Sequence, residues 1–293
     1  MTKLKALFAA TAVAAGMGFT TAASATFINT WQASFDNGFD QSLTTFAAGT
    51  NNPNFSGANP VGGEVDTYLQ IAWGTPGSLA TNPTQEQSKL VVSQGVYAGG
   101  ASVDVDTNGG TEQTIGITHF NNAITCTGGI PAGGICPALT HTTLLSELTL
   151  TAIDPAIFGP IQATQGFAIQ FAETKNQSPC FEGGLETVCD DIFVLLNPIA
   201  LEFDLDVNGT IHHVTIGATM IGGEELGTLS NAACAEAGLG AGCIGFLTAE
   251  GQSNTIIANI TITAPTEAPE PGTLAMLGAL LVAGGVASRR KRV

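Results

Sequence analysis

Ile199-Ala200-Leu201-Glu202-Phe203-Asp204-Leu205-Asp206-Val207-Asn208-Gly209-Thr210-Ile211-His212-His213-Val214-Thr215-Ile216 is the stretch on which the reading of the fold turns. Two runs that alternate apolar and polar residues meet at Asn208-Gly209. Side chains of a strand point to opposite faces in turn, so Phe203, Leu205 and Val207 share one face, and Asp204 and Asp206 share the other. Asn and Gly both accept a positive φ, and Asn-Gly between alternating runs is the leading signal for a two-residue β-hairpin.

Working outward, similar runs cover Phe27 to Gln32, Val65 to Trp73, Ser88 to Gln94, Thr114 to Asn121, Leu144 to Ile153, Gly166 to Ala172, Asp191 to Leu196 and Asn254 to Thr263. Clusters of Gly, Pro, Asn and Ser separate them. Short strands at regular intervals, without long helical patterns between them, predict an all-β body, an antiparallel β-sandwich or jelly roll with short helices. One helix is expected over Phe35 to Ala48 and a shorter one over Ala232 to Ala237.

The pattern D-x-D-x-N-G occurs twice, as Asp104, Asp106, Asn108 and Gly109, and as Asp204, Asp206, Asn208 and Gly209. It opens like an EF-hand calcium loop, whose oxygens at alternate positions surround the ion. The bidentate Glu that closes such a loop is replaced by Ile115 in one copy and Thr215 in the other. The hairpin reading therefore outweighs a dedicated calcium site in both copies. Weak calcium binding by Asp104, Asp106, Asn108, Asp204, Asp206 and Asn208 is compatible with it, because few cations compete.

The two ends read as targeting segments and are set aside from the fold. Lys3 and Lys5 precede an apolar run from Leu4 to Phe19, and Ala23-Ser24-Ala25 offers small residues to signal peptidase, so residues 1–25 form a signal helix cleaved after Ala25. An uncleaved anchor is the alternative. At the other end, residues 265–271 form a Pro-rich spacer, Gly272 to Ser288 carry no charge, and 289–293 hold Arg289, Arg290, Lys291 and Arg292. The uncharged run would rise about 25 Å as a helix, at the lower edge for crossing a bilayer. Its cations would remain on the cytoplasmic side and place the body outside. A short buried core helix is the bland alternative.

Between the ends, residues 26–264 form one extracytoplasmic domain. Lys89 and Lys175 are its only basic residues besides His, against 22 acids, for a formal charge of −20. Phosphate binding relies on Lys and Arg, so nucleic acid is excluded as a partner, and docking on anionic lipid is disfavoured for the same reason. The six Cys all lie in this domain and group locally as Cys126 with Cys136, Cys180 with Cys189, and Cys234 with Cys243. An even count in an exported chain predicts disulfides, and the local pairing is the expected one among several connectivities. Each would stabilise the body by roughly 2–3 kcal/mol. Zinc is the rival reading, disfavoured by the lack of a C-x-x-C knuckle and the scarcity of His.

Pro269-Glu270-Pro271, the uncharged span and the cluster Arg289-Arg290-Lys291-Arg292 resemble the PEP-CTERM sorting signal of exported bacterial proteins. The resemblance implies recognition and cleavage by exosortase. It implies an inner-membrane-anchored precursor and a mature protein at the cell surface or in an exopolysaccharide or biofilm matrix. Within the body, Ile117-Thr118-His119-Phe120-Asn121 is similar to the signature of the THxN family of PEP-CTERM proteins, with Thr118, His119 and Asn121 as the motif residues. That likeness names relatives and implies no chemistry.

On a strand, His119 and Asn121 share a face, while Thr118 and Phe120 share the other, with Phe120 the expected core residue. A polar network fixing a turn is the leading reading of His119 and Asn121, and a ligand contact the other. His212 and His213 are adjacent and should face opposite sides; His141 lies in a Thr-rich segment. No G-x-S-x-G, H-E-x-x-H or P-loop occurs, and no catalytic residue is assigned. The leading expectation is a non-enzymatic structural or adhesive protein. The alternatives are a carbohydrate-binding module, for which Trp31, Trp73, Tyr68 and Tyr97 are the few aromatic candidates and most read as core, and a secreted glycan hydrolase using carboxylates such as Asp190-Asp191, although among 22 acids some pairs arise by chance.

Overall fold

The computed structural model describes residues 27–47, 53–76, 84–125, 138–156, 159–174, 190–197, 201–221 and 226–265. The signal segment, the spacer, the span with its basic tail, and Cys126, Cys136, Cys180 and Cys189 lie outside the described residues. Among the described residues no helix is long and apolar enough to cross a membrane.

The protein is all-β and antiparallel. Its strands are β1 (Thr30–Phe46), β2 (Asn54–Ala58), β3 (Thr67–Trp73), β4 (Thr75–Pro76), β5 (Ser88–Val92), β6 (Ser102–Asp106), β7 (Glu112–Phe120) and β8 (Ile124–Thr125). They continue as β9 (Leu139–Asp154), β10 (Ile161–Ala172), β11 (Asp191–Leu195), β12 (Leu201–Val207), β13 (Thr210–Ile221), β14 (Gly227–Thr228), β15 (Ile244–Thr248) and β16 (Ser253–Thr263). One helix, α1 (Asn231–Glu236), precedes β15. Hydrogen bonding runs unbroken through one curled sheet in the order β12-β13-β16-β7-β5-β3-β1-β9-β10-β11-β15-β14, with β2 on β3 and β6 on β1. The short β4 and β8 pair separately.

The hairpin of residues 201–221 is as the alternation predicts. Val207 pairs with Thr210 across Asn208-Gly209, and both turn residues have positive φ, 51° and 90°. Leu205 and Val207 are buried while Asp204 and Asp206 are exposed. β12 ends the sheet, and outward carboxylates along it discourage pairing with another strand. The short helix is also as expected: Ser230 Oγ caps it by accepting from the Ala233 N–H at 3.1 Å, satisfying a donor that the first turn leaves without a partner. Cys234, within this helix, is disulfide-bonded to Cys243, which directly precedes β15.

Two expectations are overturned. The helix over Phe35 to Ala48 is absent, and Thr30–Phe46 is instead the long strand β1. Phe35, Phe39 and Leu43 recur every four residues, a spacing that suits a helix face and equally twice the strand period. The inward series Trp31, Ala33, Phe35, Asn37 and Phe39 is buried throughout, and the strand period decides. Beyond it, Asp40 and Thr45 flank a bulge against β9, where Asp40 Oδ1 accepts from the Ser42 N–H at 2.8 Å and the Ser42 hydroxyl at 2.7 Å. Gly38 is required inside this strand: a Cβ there would come within 2.8 Å of Thr67 Cβ.

The second correction concerns the first D-x-D-x-N-G copy, which is not a hairpin. β6 pairs with β1, whereas the following β7 pairs with β5 and β16. The turn residues serve as a clasp between the two ends of the domain. Thr107 donates its N–H to Asn29 O at 2.7 Å and its hydroxyl to Ile28 O at 2.6 Å. Asn108 donates its N–H to Ile262 O at 2.8 Å and its Nδ2 to Ala264 O at 2.9 Å. Its Oδ1 in turn accepts from the Ala264 N–H at 3.0 Å. The local turn bond from the Gly109 N–H to Asp106 O at 3.0 Å is kept, and the long-range bonds of Thr107 and Asn108 direct the chain away from a hairpin.

Removing the amide in Asn108→Ala leaves two backbone groups of Ala264 without these partners, and is expected to lower unfolding free energy by about 1–3 kcal/mol. Asp104→Asn, on the exposed face of β6, should stay within about 0.5 kcal/mol. Urea unfolding of both variants checks this; equal effects would contradict the clasp.

Candidate functional site

The inner face of β7 reads Ile115, Ile117, His119 and then Asn121. Two apolar residues and two polar ones share one parity, so the core face turns polar as the strand ends. His119 and Asn121 are fully buried, while Thr118 and Phe120 are only partly buried on the outer face. The expected assignment of Phe120 to the core is therefore inverted. Phe120 lies under the Lys89 ammonium, 4.9 Å from its ring centroid, and the Thr118 hydroxyl meets that of Thr255 at 2.8 Å. The Ile115 and Ile117 parity was available in the sequence and would have placed these residues correctly.

His119 sits among aromatic rings and acids. Its ring meets Phe171 edge-on at 4.9 Å between centroids and lies nearly parallel to Trp73 at 6.1 Å. Its Nε2 is 3.8 Å from Asp191 Oδ2, too far for a hydrogen bond. Trp73 Nε1–H donates to Glu173 Oε2 at 2.9 Å, and the Thr174 N–H donates to Asp191 Oδ1 at 2.9 Å. Asn121 Nδ2 donates to Thr248 O at 2.7 Å, and the backbone of Asn121 bonds with Gln252 and Gly251. Glu250 lies in the same turn between β15 and β16 and is 7 % exposed.

The strand ends explain why these groups meet. Glu173 follows β10, Asp191 begins β11, Glu250 follows β15 and His119 is near the end of β7. β10, β11 and β15 are neighbours in the sheet, so their ends converge at one pole of the curl. Among the described residues, both ring nitrogens of His119, Asn121 Oδ1, Glu173 Oε1, Asp191 Oδ2, Thr248 Oγ1 and both carboxyl oxygens of Glu250 are buried with no hydrogen-bond partner.

Burial favours the neutral forms, and among the described residues no Lys or Arg is paired with these groups. Burial pushes the Glu173 carboxyl up to about 8; the Trp73 hydrogen bond opposes the shift and the Glu250 charge adds to it. Burial also raises Asp191 well above the usual carboxylate range, and the Glu173 charge adds to it. Burial raises Glu250 to about 7 and lowers His119 to about 3.

The other sequence candidates fall elsewhere. His212 is buried beside Trp31, 5.3 Å between ring centroids, and its Nε2 accepts from the Ile28 N–H at 3.2 Å. His213 is exposed, with its Nδ1 at 2.5 Å from Asp204 Oδ1, so the two histidines do face opposite sides. Asp206 Oδ1 accepts from the Gly209 N–H at 2.8 Å, and Asp106 Oδ1 accepts from the Thr30 hydroxyl at 2.7 Å. Among the described residues no group of three or more His, Cys, Asp and Glu is placed to hold a metal ion. Trp31 and Trp73 are fully buried and offer no face to a sugar ring, whereas Tyr97 is 38 % exposed. No protein-family model matches the chain, and no curated protein matches it.

The parity can be tested directly. Asn121→Ala should cost about 1–3 kcal/mol through lost bonding to the β15–β16 turn, and Phe120→Ser no more than about 1 kcal/mol as a change on the outer face. Chemical denaturation of the two variants checks the order, and a larger loss for Phe120→Ser would contradict it.

Proposed function

We infer that the chain is an exported protein of the cell surface or extracellular matrix, of non-enzymatic structural or adhesive role. Signal peptidase acts at its start, and exosortase acts at Pro269-Glu270-Pro271. The observation that carries this is the order at the chain end: Pro-Glu-Pro, an uncharged span and four cations, in register. The body supports the reading in three ways. Its strands expose carboxylates such as Glu202, Asp204 and Asp206 and form one curled antiparallel sheet. It contains a disulfide, a bond suited to an oxidising compartment. The clasp of Thr107 and Asn108 holds the first described residues and the residues leading into the spacer.

The body works as a two-layer, jelly-roll-like unit. Phe35, Ile117, Leu148, Phe167, Ile216 and Ile256 come from distant places in the sheet order, yet line one apolar interior, which is how the halves of a curled sheet pack as layers. The alternatives are less well supported. Trp31 and Trp73, candidates for stacking on sugar, are core residues, and the converging carboxyls of Glu173 and Asp191 are buried at 2 % and 0 % exposure.

Mass spectrometry of the protein from a host that carries exosortase is expected to find an N-terminus at Thr26 and loss of the segment after the Pro-Glu-Pro motif. Deleting exosortase should leave the tail intact and the protein in the membrane fraction. An intact chain in the cytoplasm, with both ends present, would overturn the reading.

A further inference from the structure

We propose that His119, Glu173, Asp191 and Glu250 form a proton-operated latch that holds the ends of β7, β10, β11 and β15 together while its carboxyls are protonated and loosens them when the carboxyls ionise. The geometry carries this. Three carboxyls from three neighbouring strand ends converge in a site that is 0–7 % exposed. Among the described residues Lys89 is the one Lys or Arg, and it is engaged outside with Glu86 at 2.9 Å. An ionised carboxylate buried without a paired cation is costly, and the structure can relieve that cost by holding a proton or by admitting water.

The described titratable groups at this pole are His119 from β7, Glu173 after β10, Asp191 at the start of β11 and Glu250 after β15, with Asp190 buried next to Asp191 in the chain. β3 contributes the uncharged Trp73. Glu236 of α1 borders a cleft that Glu173 also lines. All these described groups except His119 are acids, so none brings positive charge when the carboxyls ionise.

The direction with pH follows from linkage. A carboxyl raised in the folded state stabilises it fully below the ordinary value of 4.5, and that stability is lost as pH rises through about 7 for Glu250 and about 8 for Glu173. His119, lowered to about 3, contributes in the opposite sense, but its contribution is complete once pH exceeds its ordinary 6.5. Between 6.5 and 8 the carboxyls therefore act without opposition from His119, and the latch weakens.

Hydrogen exchange of the full-length chain, read by mass spectrometry and corrected for intrinsic rates, tests this. Protection in peptides covering 119–122, 171–174, 190–192 and 248–252 should fall about tenfold or more between about pH 6 and pH 9. Peptides from the β1–β9 pairing should hold theirs. Glu173→Gln keeps an acceptor for Trp73 and removes one titrating group, so it should flatten the fall. If circular dichroism shows that variant unfolded, Glu250→Gln is read in its place, with the same flattening expected. Protection unchanged with pH at the latch, a uniform fall that includes β1–β9, or a wild-type profile in the folded Gln variant would overturn the proposal.

Discussion

The pairing of β1 with β9 is the interaction on which the rest of the body depends. The two strands run antiparallel from Thr30 against Asp154 to Phe46 against Leu139, with a bulge near Asp40. β1 presents Trp31, Ala33, Phe35 and Phe39 inward, and β9 presents Leu144, Leu148 and Leu150. Burying such side chains stabilises by about 1.5–3 kcal/mol each, and a one-residue slip would turn the whole series outward. β6 and β3 add to the other edge of β1, and β10 adds to β9. The curl of the sheet thus grows in both directions from this pair.

The convergence of acids at one pole is a consequence of the same curl. Strands that end together bring their terminal residues together, and here those residues are Glu173, Asp191, Glu250 and His119. Trp73 and Asn121 bind parts of this cluster to the core and to the β15–β16 turn. A core built for stability alone would place apolar residues there, because satisfied apolar packing usually equals or exceeds a buried polar cluster. The cluster instead makes local cohesion depend on protons, in a domain whose charge is otherwise strongly negative. The clasp at Thr107-Asn108 provides the opposite kind of joint, with paired backbone and amide groups and no titrating side chain.

Much of the fold was legible from residues. Asn208-Gly209 between alternating runs announced a hairpin, and its two positive φ values are what that dipeptide accommodates at little cost. Leu144 to Ile153 announced a strand by alternation alone. Phe35 to Ala48 misled because a four-residue repeat satisfies both periods. Asn108-Gly109 misled because the same turn chemistry that closes a hairpin also lets Asn108 reach a remote strand end. The strands β2 and β15, short and Gly-containing, gave too little alternation to be seen. At the candidate site, His119 and Asn121 were visible as a pair on one face, and Asp191 as half of the carboxylate pair Asp190-Asp191. Glu173 and Glu250 drew no attention, since nothing local marks an acid as buried.

The sequence by itself determined the all-β class of structure, the charge imbalance and the alternation of its clearest strands. These depend on composition and on neighbours along the chain, which period and turn chemistry express directly. Only the tertiary structure decided which of two like motifs closes a hairpin and which acids lose their water. Those outcomes depend on what packs against a residue from more than fifty positions away, as Glu173 packs on Trp73 and Asn108 on Ala264. The physical reason is that desolvation and long-range hydrogen bonding belong to the assembled sheet, and no local pattern encodes them.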